Sequence, residues 1–138
     1  MVKSAAARIR KTEVIDDFLV NGVIKGLQDR KAKEIVVMDL RNIGGVVSDF
    51  FIVCQGDSST QVEGIARSVE ETVLIECGEN PEHIEGVKNA LWVLIDYINV
   101  VVHIFQPEQR DYYGIERLWA DAEIVRITEN NLIVKRLL

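Results

Sequence analysis

Apolar and polar residues fall into blocks whose spacing separates helices from strands along most of the chain. From Glu13 to Asp29 the apolar positions Ile15, Phe18, Leu19, Val23 and Leu27 recur at helical intervals, which predicts an amphipathic helix capped by Thr12. Ile35 to Leu40 is a short continuous apolar run and predicts a buried strand. Asn42 to Val47, containing Gly44-Gly45, predicts a loop, and Asp49 to Gln55 a second strand. After Gly56-Asp57-Ser58-Ser59, helical periodicity returns through Val62, Ile65, Ala66, Val69 and Val73, and it ends before Gly78. Glu79 to Pro81 is a turn leading into the most patterned part of the chain.

That part is Glu85 to Trp119. Its apolar runs Leu91–Tyr97 and Val100–Gln106 are separated only by Ile98-Asn99, which is hairpin spacing, with Asn tolerating the left-handed conformation such turns need. A loop of that length pairs Trp92 with Phe105, Leu94 with His103 and Asp96 with Val101. Trp92, Asp96, His103 and Phe105 therefore share one face. Pro107 starts a helix on which Arg110, Tyr113 and Arg117 recur at intervals of three and four, and Trp119 closes the segment. In the tail, Ile124, Val125, Ile127, Leu132, Ile133, Val134, Leu137 and Leu138 surround the polar stretch Thr128-Glu129-Asn130-Asn131. A terminal hairpin and a partner-binding arm both fit that pattern.

Together these elements predict a single domain of the α/β (α+β) class, a mixed sheet of about four to six strands with packed helices. The expected divisions are a flexible basic N-terminus at 1–11, the domain at 12–122 and a C-terminal extension at 123–138.

Composition narrows the function. With 138 residues, 48% hydrophobic and 28% charged, the chain is long enough to bury a sizeable core in one unit. A formal net charge of −6 argues against long-range attraction to nucleic acid and for a neutral or basic partner. Cys54 and Cys77 form neither a disulfide framework nor a metal-binding pattern, so reduced thiols are expected. No apolar run reaches membrane-spanning length, and the start lacks the apolar region of a signal peptide. The expectation is a cytoplasmic protein.

Candidate chemistry is sparse. Asp96 beside His103 could orient a base, but no serine or cysteine nucleophile lies in a recognisable motif, and neither H-E-x-x-H nor Cys-x-x-Cys occurs. A structural or interfacial role fits that pair better than catalysis. Ser58 with Gln61 reads as a capping box, and Asp57 would repel a phosphate at the same helix start. Phe105 and Trp119 read as core. Trp92, Arg110 and Tyr113 are of the types that anchor interfaces, and Trp92 lies on the face that also carries Asp96 and His103.

The order Glu85-Gly86, Trp92-Val93-Leu94-Ile95-Asp96-Tyr97, Val101-Val102-His103-Ile104-Phe105, Arg110, Tyr113 and Leu118-Trp119 resembles the ribosomal silencing factor family, also called Iojap-related. The likeness covers roughly residues 12 to 122. It departs from the family after Tyr97, where Ile98-Asn99 stands for the usual Gly-Asp.

The resemblance implies a fold like that of the nucleotidyltransferases without their catalysis. Gly56 and Ser58 could stand for the glycine-serine turn of those enzymes, but Ile98 stands where the second metal-binding carboxylate would follow Asp96. It also implies a function: binding a large-subunit ribosomal protein, the fourteenth, at the intersubunit face, blocking subunit joining and repressing translation. On that reading Trp92, Asp96, His103, Arg110 and Tyr113 meet the basic ribosomal protein on the large subunit. There is little direct nucleic-acid contact, no membrane, no cofactor and no metal. Self-association into a homodimer stays open. The rival readings are a phosphoryl-transfer enzyme using Gly56, Ser58 and Asp96, and an adaptor in ribosome assembly.

Overall fold

The structure is a computed structural model and describes residues 9–10, 17–128 and 132–135. The hairpin expected from the Ile98-Asn99 spacing is formed by β5 (Trp92–Asp96) and β6 (Val100–Phe105). Its register pairs Trp92 with Phe105, Leu94 with His103 and Asp96 with Val101. The turn itself differs from expectation: Ile98, not Asn99, takes the left-handed conformation, with φ 74°. Its neighbours hold it there. The Asp96 carboxylate accepts from the Ile98 amide at 2.6 Å, and the Ser48 hydroxyl donates to the Ile98 carbonyl at 2.9 Å.

Around this hairpin the described strands make one mixed sheet. β2 (Lys33–Asp39) and β3 (Phe50–Gln55) pair antiparallel, and β3 pairs parallel with β6. A parallel neighbour needs a crossover, supplied by α2 (Ser59–Cys77) and then β4 (His83–Glu85), which lies antiparallel to β5 at the sheet edge. On the far side β7 (Glu123–Ile127) pairs with β2, and β8 (Leu132–Lys135) with β7. The two-residue β1 (Ile9–Arg10) pairs with β8, giving the order β1-β8-β7-β2-β3-β6-β5-β4. The six strands β7 to β4 agree in number with the expected sheet, and β8 with β1 extends it. The tail is thus a hairpin hydrogen-bonded into the body. β4 was not foreseen, because three residues at an edge carry too little pattern.

Both long helices pack on one face of the sheet. α1 (Phe18–Asp29) starts later than expected, with Asp17 as its cap, accepting from the Val20 amide at 2.9 Å. Thr12 and Ile15 lie outside the described residues. Leu19, Val23 and Leu27 are buried as the periodicity requires, joined by Val20 and Ile24, but Phe18 is 70% exposed because it opens the helix beyond the edge of the core. In α2, Ser58 caps by accepting from the Gln61 amide at 3.1 Å, while the Gln61 side chain returns to the Asp57 amide, one residue before the cap. The two helices touch closely at Gly26, where an added Cβ would lie 2.8 Å from the Cα of Val69. Beneath them sit Ile52, Cys54, Val93, Ile95, Val102 and Ile104.

Candidate partner-binding face

Strand alternation divides the hairpin cleanly. Val93, Ile95, Val102 and Ile104 point into the helix-covered core, so Trp92, Leu94, Asp96, His103 and Phe105 occupy the other face. That face has its own smaller core, built from Val36, Met38, Leu40, Val53, Phe105, Ile115, Ala122 and Ile124. It is roofed by short pieces: α3 (Pro107–Tyr113), α4 (Ile115–Leu118) and the segments before β3 and β7. The roof does not extend over the β5–β4 end, where Trp92, Leu94 and Asp96 stay half-buried. Leu94 is therefore only partly covered, and Trp119, expected in the core, is only partly buried against the smaller core.

Trp92 lies in the middle of an aromatic cluster. Its indole stacks on Phe105 with centroids 4.9 Å apart and tilts against Tyr113 at 4.7 Å, and Tyr112 meets Tyr113 edge-on at 5.0 Å. The Trp92 indole N–H donates to Nδ1 of His103 at 3.2 Å. An indole nitrogen only donates, so His103 carries its proton on Nε2, and that atom is buried without a protein partner. Burial pushes the His103 pKa down to about 4, against the opposing effect of Asp96. His103 has committed its lone pair to Trp92, and its ring, 4% exposed, supports the cluster from below.

The remaining candidates lie around the cluster. Asp96 is engaged with the hairpin turn through Ile98 and makes no hydrogen bond to His103. Arg110 reaches inward. Its guanidinium donates to the Glu34 carbonyl at 2.7 Å and to the Gln55 side chain at 3.2 Å, and pairs with Glu116 at 2.9 Å, leaving the side chain 11% exposed. Tyr113 is 45% exposed and Tyr112 79%. So Trp92 and Tyr113 come together at the surface over the buried His103, while Asp96 and Arg110 act at the turn and under α3.

Sequence reasoning missed three contributors. Tyr112 extends the aromatic cluster. Phe51, on β3, sets its ring edge-on to His103 at 4.9 Å. His83 and Glu85, opposite Asp96 and Leu94 on β4, bring their side chains into polar contact on the same face. The alternation His83-Ile84-Glu85 was the available signal for that pair.

The glycine-serine turn after β3 is occupied by its own contacts. Gly56 sits against Ile65, where an added Cβ would lie 3.1 Å from its Cδ1, and Asp57 pairs with Lys33. No group of three or more metal-ligating side chains occurs among the described residues.

Known proteins are similar to this chain in sequence and in fold. The family described as ribosomal silencing factor during starvation matches residues 12–136. The chain is 38% identical over 109 residues to the ribosomal silencing factor RsfS of Halalkalibacterium halodurans, covering 79% of this chain and 92% of that one. To RsfS of Bacillus subtilis it is 40% identical over 96 residues, 70% of this chain and 80% of that one. A crystal structure of a Chromobacterium violaceum protein superimposes with a TM-score of 0.69 at 38% identity, covering 74% of this chain and 83% of the other. With a family match over most of its length and relatives of this identity and coverage, the chain belongs to the ribosomal silencing factor family.

Proposed function

We propose that the protein is a translational repressor that docks the Trp92–Tyr113 face on a basic large-subunit ribosomal protein, the fourteenth, and keeps the small subunit from joining. The observation that carries this is an uncovered aromatic cluster on the face away from α1 and α2, in a chain of net charge −6. A clustered Trp and Tyr supply affinity where they are desolvated, and complementary charge speeds encounter. The mechanism is steric and needs no reacting group. That suits a site whose histidine lone pair is committed to Trp92 and whose Asp96 carboxylate is held by the hairpin turn. No described helix is long and apolar enough to cross a membrane.

The test is a subunit-joining assay. Trp92→Ala and Tyr113→Ala are each expected to abolish inhibition of joining, since losing an interface aromatic typically costs about 2–4 kcal/mol. Circular dichroism must report folded variants. Folded variants that still separate the subunits, or a wild-type protein that fails to co-sediment with large subunits, overturn the reading. Co-sedimentation with incomplete large subunits alone would favour the assembly-adaptor role.

A further inference from the structure

Beside Trp92, where the loop 86–91 faces α3, lies a cleft of about 420 Å³ lined by Asn89, Leu91, Trp92, Glu108, Tyr112 and Tyr113, together with Gly86 and Gln109. Its walls are aromatic: Trp92 and Tyr113 lie 4.7 Å apart and Tyr112 and Tyr113 5.0 Å apart, centroid to centroid. The lining carries one carboxylate, Glu108, and two side-chain amides, and neither lysine nor arginine. Leu91, 42% exposed, adds an apolar edge.

Each of these features suits one kind of guest. Electron-rich ring faces attract a cation, a carboxylate neutralises it, amide oxygens accept its outward N–H groups, and an apolar edge covers a methylene stem. A planar guanidinium uses ring faces and a carboxylate at once, whereas an ammonium is more strongly hydrated and pays more to enter. The cleft is also far larger than a water site and opens at the surface of an acidic chain.

We propose that this cleft receives an arginine side chain of the protein's basic partner, packed against the rings of Trp92, Tyr112 and Tyr113 from the cleft side and paired with Glu108. This rests on the docking role given above for the Trp92–Tyr113 face and adds the chemistry of the residue that enters it.

The experiment titrates the isolated, isotopically labelled chain with N-acetyl-arginine methylamide and follows the indole N–H of Trp92 and the side-chain amides of Asn89 and Gln109 by NMR. Saturable shifts at these groups are expected. They should weaken about three- to tenfold in Glu108→Gln and in Tyr112→Ala, the size of one exposed cation–π or ion-pair contact. The neutral citrulline counterpart should shift them far less. Equal binding of the citrulline or leucine counterparts, shifts that map elsewhere, or undiminished binding to both variants would overturn the proposal. Subunit co-sedimentation is scored separately. Arginine binding in the cleft without co-sedimentation keeps the cleft and removes the ribosomal role, and co-sedimentation without arginine binding does the reverse.

Discussion

His103 is a buried imidazole held neutral beneath the surface it supports, and this makes the fold sensitive to acid. Its pKa falls from 6.5 to about 4 on folding, so between those values the unfolded chain takes up a proton that the folded chain does not. Stability from this residue is therefore complete above pH 6.5, declines as pH falls towards 4 and levels off below. The difference is on the order of 3 kcal/mol. In His103→Gln, urea unfolding between pH 7 and 4 should lose this part of the slope and keep the part due to carboxylates. Equal slopes in the two proteins would show that the ring takes up its proton as readily folded as unfolded.

Ile98 gives a second prediction at this scale. A branched side chain at φ 74° costs about 1–2 kcal/mol, and glycine returns about 0.5–1 kcal/mol of that as chain entropy. Ile98→Gly is expected to raise the urea midpoint by a net stabilisation of about 0.5–1 kcal/mol, which a matched pair of unfolding curves would detect.

Among the elements, α3 is the one whose position the site depends on. It is a single short helix without a buried residue, so a side chain beneath it, Arg110, ties it to β2, β3 and Glu116. A lysine cannot reproduce that fork. Arg110→Lys is expected to cost about 2–3 kcal/mol by chemical denaturation and to weaken large-subunit binding through displacement of Tyr112 and Tyr113. The loop 86–91 is fixed by different means. Gly86, at φ 86°, passes so close to the strand that an added Cβ would lie 2.0 Å from the Trp92 carbonyl. Gly86→Ala must therefore move Trp92 or the loop.

These two elements mark what the sequence could reveal. The parity of the hairpin was readable, because a loop of two residues fixes which side chains share a face. So was the capping of α2 by Ser58, a local event within one turn. The inward reach of Arg110 was not, because an arginine at a helical position looks the same whether it meets solvent or a strand many residues away. Phe18 misled for a similar reason: its period was right, but the core ends before it.

At the scale of the molecule, the helix-covered side supplies most of the core, and the opposite side carries a smaller core and the uncovered aromatic cluster. An acidic chain meeting a basic partner should associate faster at low ionic strength than at high, with dissociation much less affected. Stopped-flow mixing with large subunits at 0.05 and 0.5 M salt is the check on that expectation. An association rate indifferent to salt would assign encounter to shape and apolar contact alone.

The strand order also governs how the chain can be made. β2 is an interior strand, bonded to β3 on one side and to β7 on the other, yet β7 follows β3, β4, β5 and β6 in the chain. While the chain grows from its N-terminus, the β2 edge bearing Val36, Val37 and Met38 has no permanent neighbour until Ile127 has emerged. Everything between can collapse earlier, including α1, α2 and the hairpin, but β2 remains an unpaired edge of the sheet. A chain stopped after Ala122 should keep much of its helix signal and fail to remain in solution, because it carries a bare apolar strand edge that recruits other chains. Newly made molecules pass through that same vulnerable interval, which closes with the addition of a five-residue strand.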